Sequence, residues 1–546
     1  MRASGRESIA TTGTGVARAL GRTSVASAAG ILMVSFVLSR LLGLLRVSIQ
    51  ARVLSGSGHD ATAFTAAIAV PDTVFTIVSG GALGSSFIPV FAGLLAAGDE
   101  GRAWRVASGV LNGVLAVLLA AVVVAEIAAP WIVIAVTQSN DPLAVTLTRI
   151  MLLQPLFLAV SGILMSLYNS YHRFILPALA PLIYNLANIA GLLLVPIAHG
   201  AIALAAWGVT IGALLQVVVM APGLTLFWRR VRPGVGLDEP GTREVGRLMV
   251  PRIIGQAGIQ GTGLVVIALS SRFFADKPAP SIRLAANLMA LPVGIIGVAV
   301  ATASFPTMTG QAARGELAAL GELVSRTLRT MMFLATPAAV ALAVLRYPIV
   351  DVLYHGVKFT AHDTDLVAAA LVGYGLGVPV WTAVELLPRA FFALKDTWTP
   401  VLVNLVTLVT ACALSVLAVY LAHGDSVLGL GLISGALSLT VLLEVAWLGL
   451  ILRRRLTTLG LRELGLSLLR SLVASEVMGV ALLALLLLWH HLGLAPASPA
   501  GDTLLLAIAV PLGVAVYAGW SHLLDAPELT TARTLALARF RRGKSS

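Results

Sequence analysis

The chain has 546 residues, of which 58% are hydrophobic and 11% charged, and its mean hydropathy is +0.94. Too few polar side chains are present to cover a water-soluble body of this size, so the composition specifies an all-α polytopic membrane protein. The formal net charge of +12 does not point to nucleic acid, because no interleaving of basic and aromatic residues accompanies it.

Residues 1–26, rich in Ser, Thr, Gly and Arg, read as a disordered cytoplasmic tail without a signal-peptide cleavage site. Apolar stretches long enough to cross about 30 Å of hydrocarbon then follow. They lie near 27–47, 62–97, 104–128, 147–171, 177–198, 202–228, 248–271, 284–310, 328–346, 366–394, 400–422, 428–452, 464–488 and 503–524, which is about 14 transmembrane helices. Six fall in 27–228 and six in 248–452, two parallel six-helix lobes. The segment 229–247, with Pro233, Gly234, Gly236, Pro240 and Gly241, reads as the cytoplasmic lobe linker. Residues 464–524 add two extra C-terminal helices, and 525–546 form a basic cytoplasmic tail. With the N-terminus inside, 25 of the 37 Lys and Arg residues fall on inner segments and six on outer ones, which places both termini in the cytoplasm.

The lobes carry a common pattern. Pro71 answers to Pro292, Pro89 to Pro306, and Asn185 to Asn404, at offsets of 221, 217 and 219 residues. An even number of crossings per repeat returns the chain to its starting side, so the lobes share one orientation, a construction used by secondary transporters with the substrate site between the halves. Pro71 with Gly80, Gly81 and Gly84, and Pro292 with Gly294 and Gly297, predict a kink or tilt at equivalent places.

Arg40 and Arg46 are the sharpest chemical signal, because a guanidinium inside a span is costly and normally faces a partner or a cavity. Arg40, Gly43 and Arg46 step by three, which fans two guanidiniums over one face with a glycine between them. Fixed paired donors of that kind suit phosphate oxygens. Arg46 also reads as a side chain snorkelling to the outer interface. Arg252, with Gln256 and Gln260 at the next turns, reads equally as a ligand contact or an interfacial anchor. Glu385 and Arg389, four apart, read as an internal ion pair. Glu126, Glu444 and Glu476 are protonatable coupling candidates, and Asn185 and Asn404 read as interhelical hydrogen-bonding residues. Ser467, Arg470, Ser471, Ala474, Ser475 and Met478 form a narrow stripe of small and polar residues that packs on protein or lines a groove, with packing the favoured reading. Cys412 is the single cysteine, and Asp351, His355, His362, Asp363 and Asp365 read as a solvated outer loop; no metal, cofactor or catalytic residue is expected.

Several stretches together resemble the MurJ (MviN) family, the lipid II flippases of bacterial peptidoglycan synthesis, within the multidrug/oligosaccharidyl-lipid/polysaccharide exporter superfamily. They are Ser39-Arg40-Leu-Leu-Gly43-Leu-Leu-Arg46, Gly84-Ser-Ser-Phe87-Ile-Pro89-Val, Pro177-Ala-Leu-Ala-Pro181-Leu-Ile-Tyr-Asn185, Leu248-Met-Val-Pro251-Arg-Ile-Ile-Gly255 and Leu291-Pro292-Val-Gly-Ile-Ile-Gly297-Val-Ala. The resemblance implies a V-shaped pair of lobes around a cationic cavity, alternating access, and a groove in 464–524 for a polyprenyl tail. Arg40 and Arg46 would then face the pyrophosphate of a lipid-linked glycan, in the bacterial cytoplasmic membrane and among membrane lipids and cell-wall synthesis proteins. The chain departs from the family pattern with Val47 after the second arginine, Thr62 opening helix two, and Asn287 and Ala290 where the helix-eight motif has Arg and then Glu or Gln. A cationic residue is thereby missing from the second lobe, which Arg252 would replace. The reading is a non-enzymatic flippase; an exporter of another lipid-linked glycan or small molecule, or a non-transporting scaffold, remains open.

Overall fold

A backbone inside hydrocarbon has to satisfy its own N–H and C=O groups, and among the described residues helix is the solution. The computed structural model describes residues 25–54, 58–78, 87, 90–91, 94, 98–137, 140–170, 173, 175–198, 200–220, 234, 236–274, 276, 278–356, 359–456, 459–493 and 499–529. Among them the one extended pairing is an isolated bridge between Gly356 and Phe359. Among the described residues ten spans are long and apolar enough to cross a membrane, and eleven if the bent pair Ala361–Leu376 and Val378–Ala393 counts as one. The fourteen anticipated from hydropathy are not reached among the described residues. The other three expected spans fall on Val25–Leu54, on 62–97, part of which lies outside the described residues, and on Ala203–Val219, which is apolar but only 17 residues long.

The chain divides into two compact units. Unit one holds the described residues up to Arg46, then Ala67–Ile132 and Pro142–Ala257; unit two holds Val47–Ala66, Val133–Asp141 and the described residues from Gly258 onward. The first eight helices are α1 (Val25–Leu54), α2 (His59–Val78), α3 (Glu100–Thr137), α4 (Pro142–Met151), α5 (Gln154–Ser170), α6 (Ile175–Ile197), α7 (Ala203–Val219) and α8 (Pro240–Phe273). Of these α1, α2, α3 and α8 contribute to both units.

In unit one, α6 and α7 cross at glycine. A methyl group at Gly191 would stand 2.7 Å from Gly208 Cα, and one at Gly208 would stand 2.9 Å from Gly191 Cα. Lipid tails are as apolar as leucine, so membrane helices gain association from such close van der Waals contact rather than from burial. A second layer forms around Phe87 and Phe91, stacked with centroids 5.1 Å apart, and Trp104, edge-on to Phe91 at 5.7 Å. Tyr168 closes that core and donates its hydroxyl to the Met220 carbonyl at 2.9 Å. The residues before α8 dock on the start of α3: Gly236, at φ +90°, turns its carbonyl against Gly109. Glu239 accepts from Arg105 at 2.5 Å and Arg102 at 3.4 Å. The Arg105 guanidinium holds the Glu239 carboxyl below its ordinary range.

Unit two continues with α9 (Ala279–Pro292), a π-helical turn (Val293–Val298), α10 (Ala299–Ala313), α11 (Leu317–Val344), α12 (Arg346–Tyr354), α13 (Ala361–Leu376) and α14 (Val378–Ala393). It ends with α15 (Trp398–Ala422), α16 (Ser426–Arg455), α17 (Leu461–His491) and α18 (Pro499–Leu523). The π turn lies directly after Pro292, whose ring cannot donate to the helical ladder. Its Gly297 lets α14 approach, since a methyl there would be 3.2 Å from Thr382 Cα. Between α13 and α14 the chain bends by 50°, and Ser438 of α16 donates to the Gly373 carbonyl at 2.8 Å beside the bend. The two C-terminal helices dock on α11: Tyr517 donates to the Phe333 carbonyl at 2.6 Å, and Gly479 admits Val340. Ser467, Ser471, Ala474, Ser475 and Met478 are buried in that packing.

Two His–Asp contacts reflect the repeat. His59 meets Asp141 at 3.1 Å and His362 meets Asp276 at 2.7 Å. His59 and Asp276 are 217 residues apart, and Asp141 and His362 are 221 apart, so the two partners are exchanged between equivalent positions.

Two expectations follow from this packing. Gly208→Leu forces α6 and α7 apart and should cost roughly 1–3 kcal/mol, whereas Gly162→Ala, where an added methyl meets nothing within 4 Å, should be neutral; thermal unfolding in detergent separates them. The second concerns Asp396, which accepts from the Thr399 amide at 3.0 Å, its hydroxyl at 2.6 Å and Arg455 at 2.6 Å. Burial alone would raise this carboxyl, but the Thr399 and Arg455 contacts outweigh it and hold it below its ordinary value. Its contribution is therefore present above the ordinary carboxylate range and is lost as pH falls through the depressed value. Asp396→Asn removes the charge that Arg455 meets and should lower stability by about 1 kcal/mol near neutrality, and the two unfolding midpoints should converge in acid.

Candidate functional site

The arginine face of α1 lies in unit one. Arg40 is exposed, a methyl added at Gly43 meets nothing within 4 Å, and Arg46 is half-buried. Arg46 lies six positions after Arg40, so the two diverge around the helix rather than stack. The Arg46 guanidinium lies against the Tyr184 hydroxyl of α6, while its Nε is enclosed without a hydrogen-bond partner. An enclosed cationic donor of this kind is a ready contact for an anion.

Around it α2, α5 and α6 converge. Gln154, at the first residue of α5 and 1% exposed, places its Nε2 at 3.2 Å from Asp72 Oδ1 and 3.2 Å from the Tyr184 hydroxyl. Asn188 donates to the Tyr184 carbonyl at 2.8 Å. Asn185 donates to Pro181 at 3.1 Å and, more weakly, to the Ser39 carbonyl of α1 at 3.4 Å, beside Arg40. Gly43, Arg46 and Asn185 thus sit on one set of converging helices with Arg40. The sequence pattern passed over Asp72, Gln154 and Tyr184. Asp72 was visible as an acid next to Pro71 inside a predicted span, but its partner lies 82 residues away, at no spacing a helix or repeat would reveal.

The remaining candidates are placed as follows. Pro71 is buried inside α2, and Pro292 ends α9. Pro89 lies outside the described residues; Pro306 falls within α10 and Arg252 within α8, with their side chains outside the described ones. Asn287 is half-buried in α9 of unit two. Asn404, in α15, contacts the buried Glu444 of α16, and Thr407 donates to the Asn404 carbonyl at 3.0 Å. Gly258 makes room for that amide: a methyl there would be 3.1 Å from Asn404 Oδ1. Glu385 and Arg389 form the i,i+4 ion pair at 3.0 Å, and Glu126 pairs with Arg149 at 3.7 Å.

A bundle of membrane-length helices that holds guanidinium, carboxylate and amide groups inside its spans defines a polytopic α-helical membrane protein of the transporter kind. Its relatives carry the assignment further. The profile of the family described as "Lipid II flippase MurJ" matches residues 51–499, a range that begins just after Arg46. A lipid II flippase MurJ of Burkholderia cenocepacia is 31% identical over 411 residues, covering 72% of this chain and 78% of that protein. The chain belongs to the lipid II flippase MurJ family. In fold it is similar to a solved lipid II flippase MurJ in an inward closed conformation, with a TM-score of 0.72 at 21% identity over 90% of this chain and 98% of the other. An inward-facing multidrug resistance MATE transporter of the MOP superfamily aligns with a TM-score of 0.61 at 15% identity, over 78% and 98% of the two chains.

The Glu444 arrangement generates a stability expectation. Glu444→Gln keeps hydrogen-bonding partners for Asn404 and Thr407 and should unfold near the parent midpoint. Glu444→Leu strands buried polar groups and should lose about 1–3 kcal/mol, read by thermal unfolding in detergent.

Proposed function

We propose that this chain translocates lipid II, a polyprenyl-pyrophosphate-linked peptidoglycan precursor, from the inner to the outer leaflet of the bacterial cytoplasmic membrane. No covalent bond is made or broken. The observation that carries the reading is the family match over 51–499, and the arginine face of α1 gives it a chemical basis. Each guanidinium offers paired donors to phosphate oxygens beside an open glycine, and the Arg46 Nε, enclosed and without a protein partner, is one of them.

In this reading residues 27–228 and 248–452 act as two lobes joined through 229–247 and alternate access between the leaflets, with Pro71 inside α2 and the π turn after Pro292 as the flexing points. Both termini face the cytoplasm, α17 and α18 accommodate the polyprenyl tail, and Arg252 supplies the cation absent at Asn287. Cell-wall synthesis proteins are the natural partners.

The test is complementation of a bacterium depleted of its lipid II flippase. The parent gene should restore growth and Arg40→Ala should not, at equal protein level in the membrane. Arg40→Lys should restore growth partly, because Lys keeps the charge and loses the paired donors. Full rescue by Arg40→Ala would remove Arg40 from the site, and no rescue by the parent would favour a different lipid-linked glycan or a scaffold role.

A further inference from the structure

The cationic end of the site contains an acid that an anion-binding site would not need. Asp72 of α2 comes within 3.2 Å of Gln154 Nε2, the same nitrogen lies 3.2 Å from the Tyr184 hydroxyl, and that hydroxyl is against Arg46. Four helices, α1, α2, α5 and α6, therefore bring one carboxylate and one guanidinium onto a shared phenol and amide. Gln154 is 1% exposed, with its Oε1 enclosed and unpartnered alongside the unpartnered Arg46 Nε. Gln154 is buried and Arg46, Asp72 and Tyr184 are half-buried, and charges act over longer distances in such a place than at a surface.

The formal charges of Asp72 and Arg46 cancel. A bound pyrophosphate has to share Arg46 with a fixed anion, which lowers its affinity relative to a site holding Arg46 alone. A transporter gains from this, since a ligand held too firmly is not released on the far side; favourable entry has to be matched by weak enough holding. The Tyr184 hydroxyl and Gln154 amide transmit the effect while keeping guanidinium and carboxylate in fixed positions.

We propose that Asp72 is a resident counter-anion that sets how tightly Arg46 holds a phosphate-bearing lipid, with Gln154 and Tyr184 as the positioning residues between them. The proposal rests on Arg46 being an anion contact, as in the function above.

Binding is measured on full-length protein in lipid nanodiscs, with farnesyl pyrophosphate as the probe and farnesol as the uncharged control. Asp72→Asn keeps an acceptor for Gln154 and removes the charge; it should bind the pyrophosphate roughly tenfold more tightly and farnesol unchanged. Asp72→Glu should bind like the parent. The gain should vanish in the Asp72→Asn, Arg46→Ala double variant and shrink at high salt. Unchanged or weaker pyrophosphate binding by Asp72→Asn, with binding still lost in Arg46→Ala, would overturn the counter-anion role and leave the Arg46 contact standing. Tightening by Asp72→Glu as well would show that shape rather than charge is responsible, and would overturn it too. Parent-like binding by Arg46→Ala would instead reject the anion contact itself.

Discussion

A charged or strongly polar group placed in hydrocarbon has to be met by another polar group, and the spans of this chain are arranged around that demand. Arg46 meets the Tyr184 hydroxyl, with Gln154 and Asp72 behind it. Arg389 meets Glu385 one turn away at 3.0 Å, and Arg149 meets Glu126 at 3.7 Å. Glu444 is met by the Asn404 and Thr407 side chains. The Glu385–Arg389 pair fixes little, because i,i+4 partners on one helix travel together. The Arg46 network is different in kind: it needs α1, α2, α5 and α6 in register, so the helices of unit one are tied to the polar group they enclose.

Between these polar points the helices are held by close contact of small residues. Gly191 and Gly208 let α6 and α7 touch backbone to backbone, and Gly479 and Tyr517 bind the C-terminal pair to α11. Such contacts resist deformation, because any separation forfeits van der Waals energy that lipid does not replace. Flexing is left to the places where the helical ladder is interrupted. The described residues of unit two include two of them, the π turn after Pro292 and the 50° bend between α13 and α14. Stiff crossings with a few interrupted helices are what alternating access asks of a bundle.

The helical class was legible because hydropathy over twenty residues reflects one dominant energy, the cost of placing a polar backbone and side chains in lipid. The family was legible from short stretches around Arg40, Pro181 and Pro292. The number of spans was less so: Ala203–Val219 is apolar for only 17 residues, roughly 25 Å of helix, and composition alone does not decide whether that crosses. Arg40 and Arg46 stood out as isolated charges. Asp72, Gln154 and Tyr184 did not, because their significance comes from contacts across 30 and 82 positions of chain, and a single sequence carries no signal for such pairings. The exchanged His59–Asp141 and Asp276–His362 contacts were also hidden, since an alignment of identical residues does not reveal a pair whose members have changed places.

The central claim is that this chain by itself moves a lipid-linked pyrophosphate glycan across a bilayer. The most direct measurement reconstitutes the purified protein in vesicles carrying labelled lipid II in one leaflet, and follows its exposure on the other side to a membrane-impermeant reagent. The account predicts transfer that scales with the amount of protein and is absent from protein-free vesicles. Exposure at the same slow rate with and without protein would contradict it.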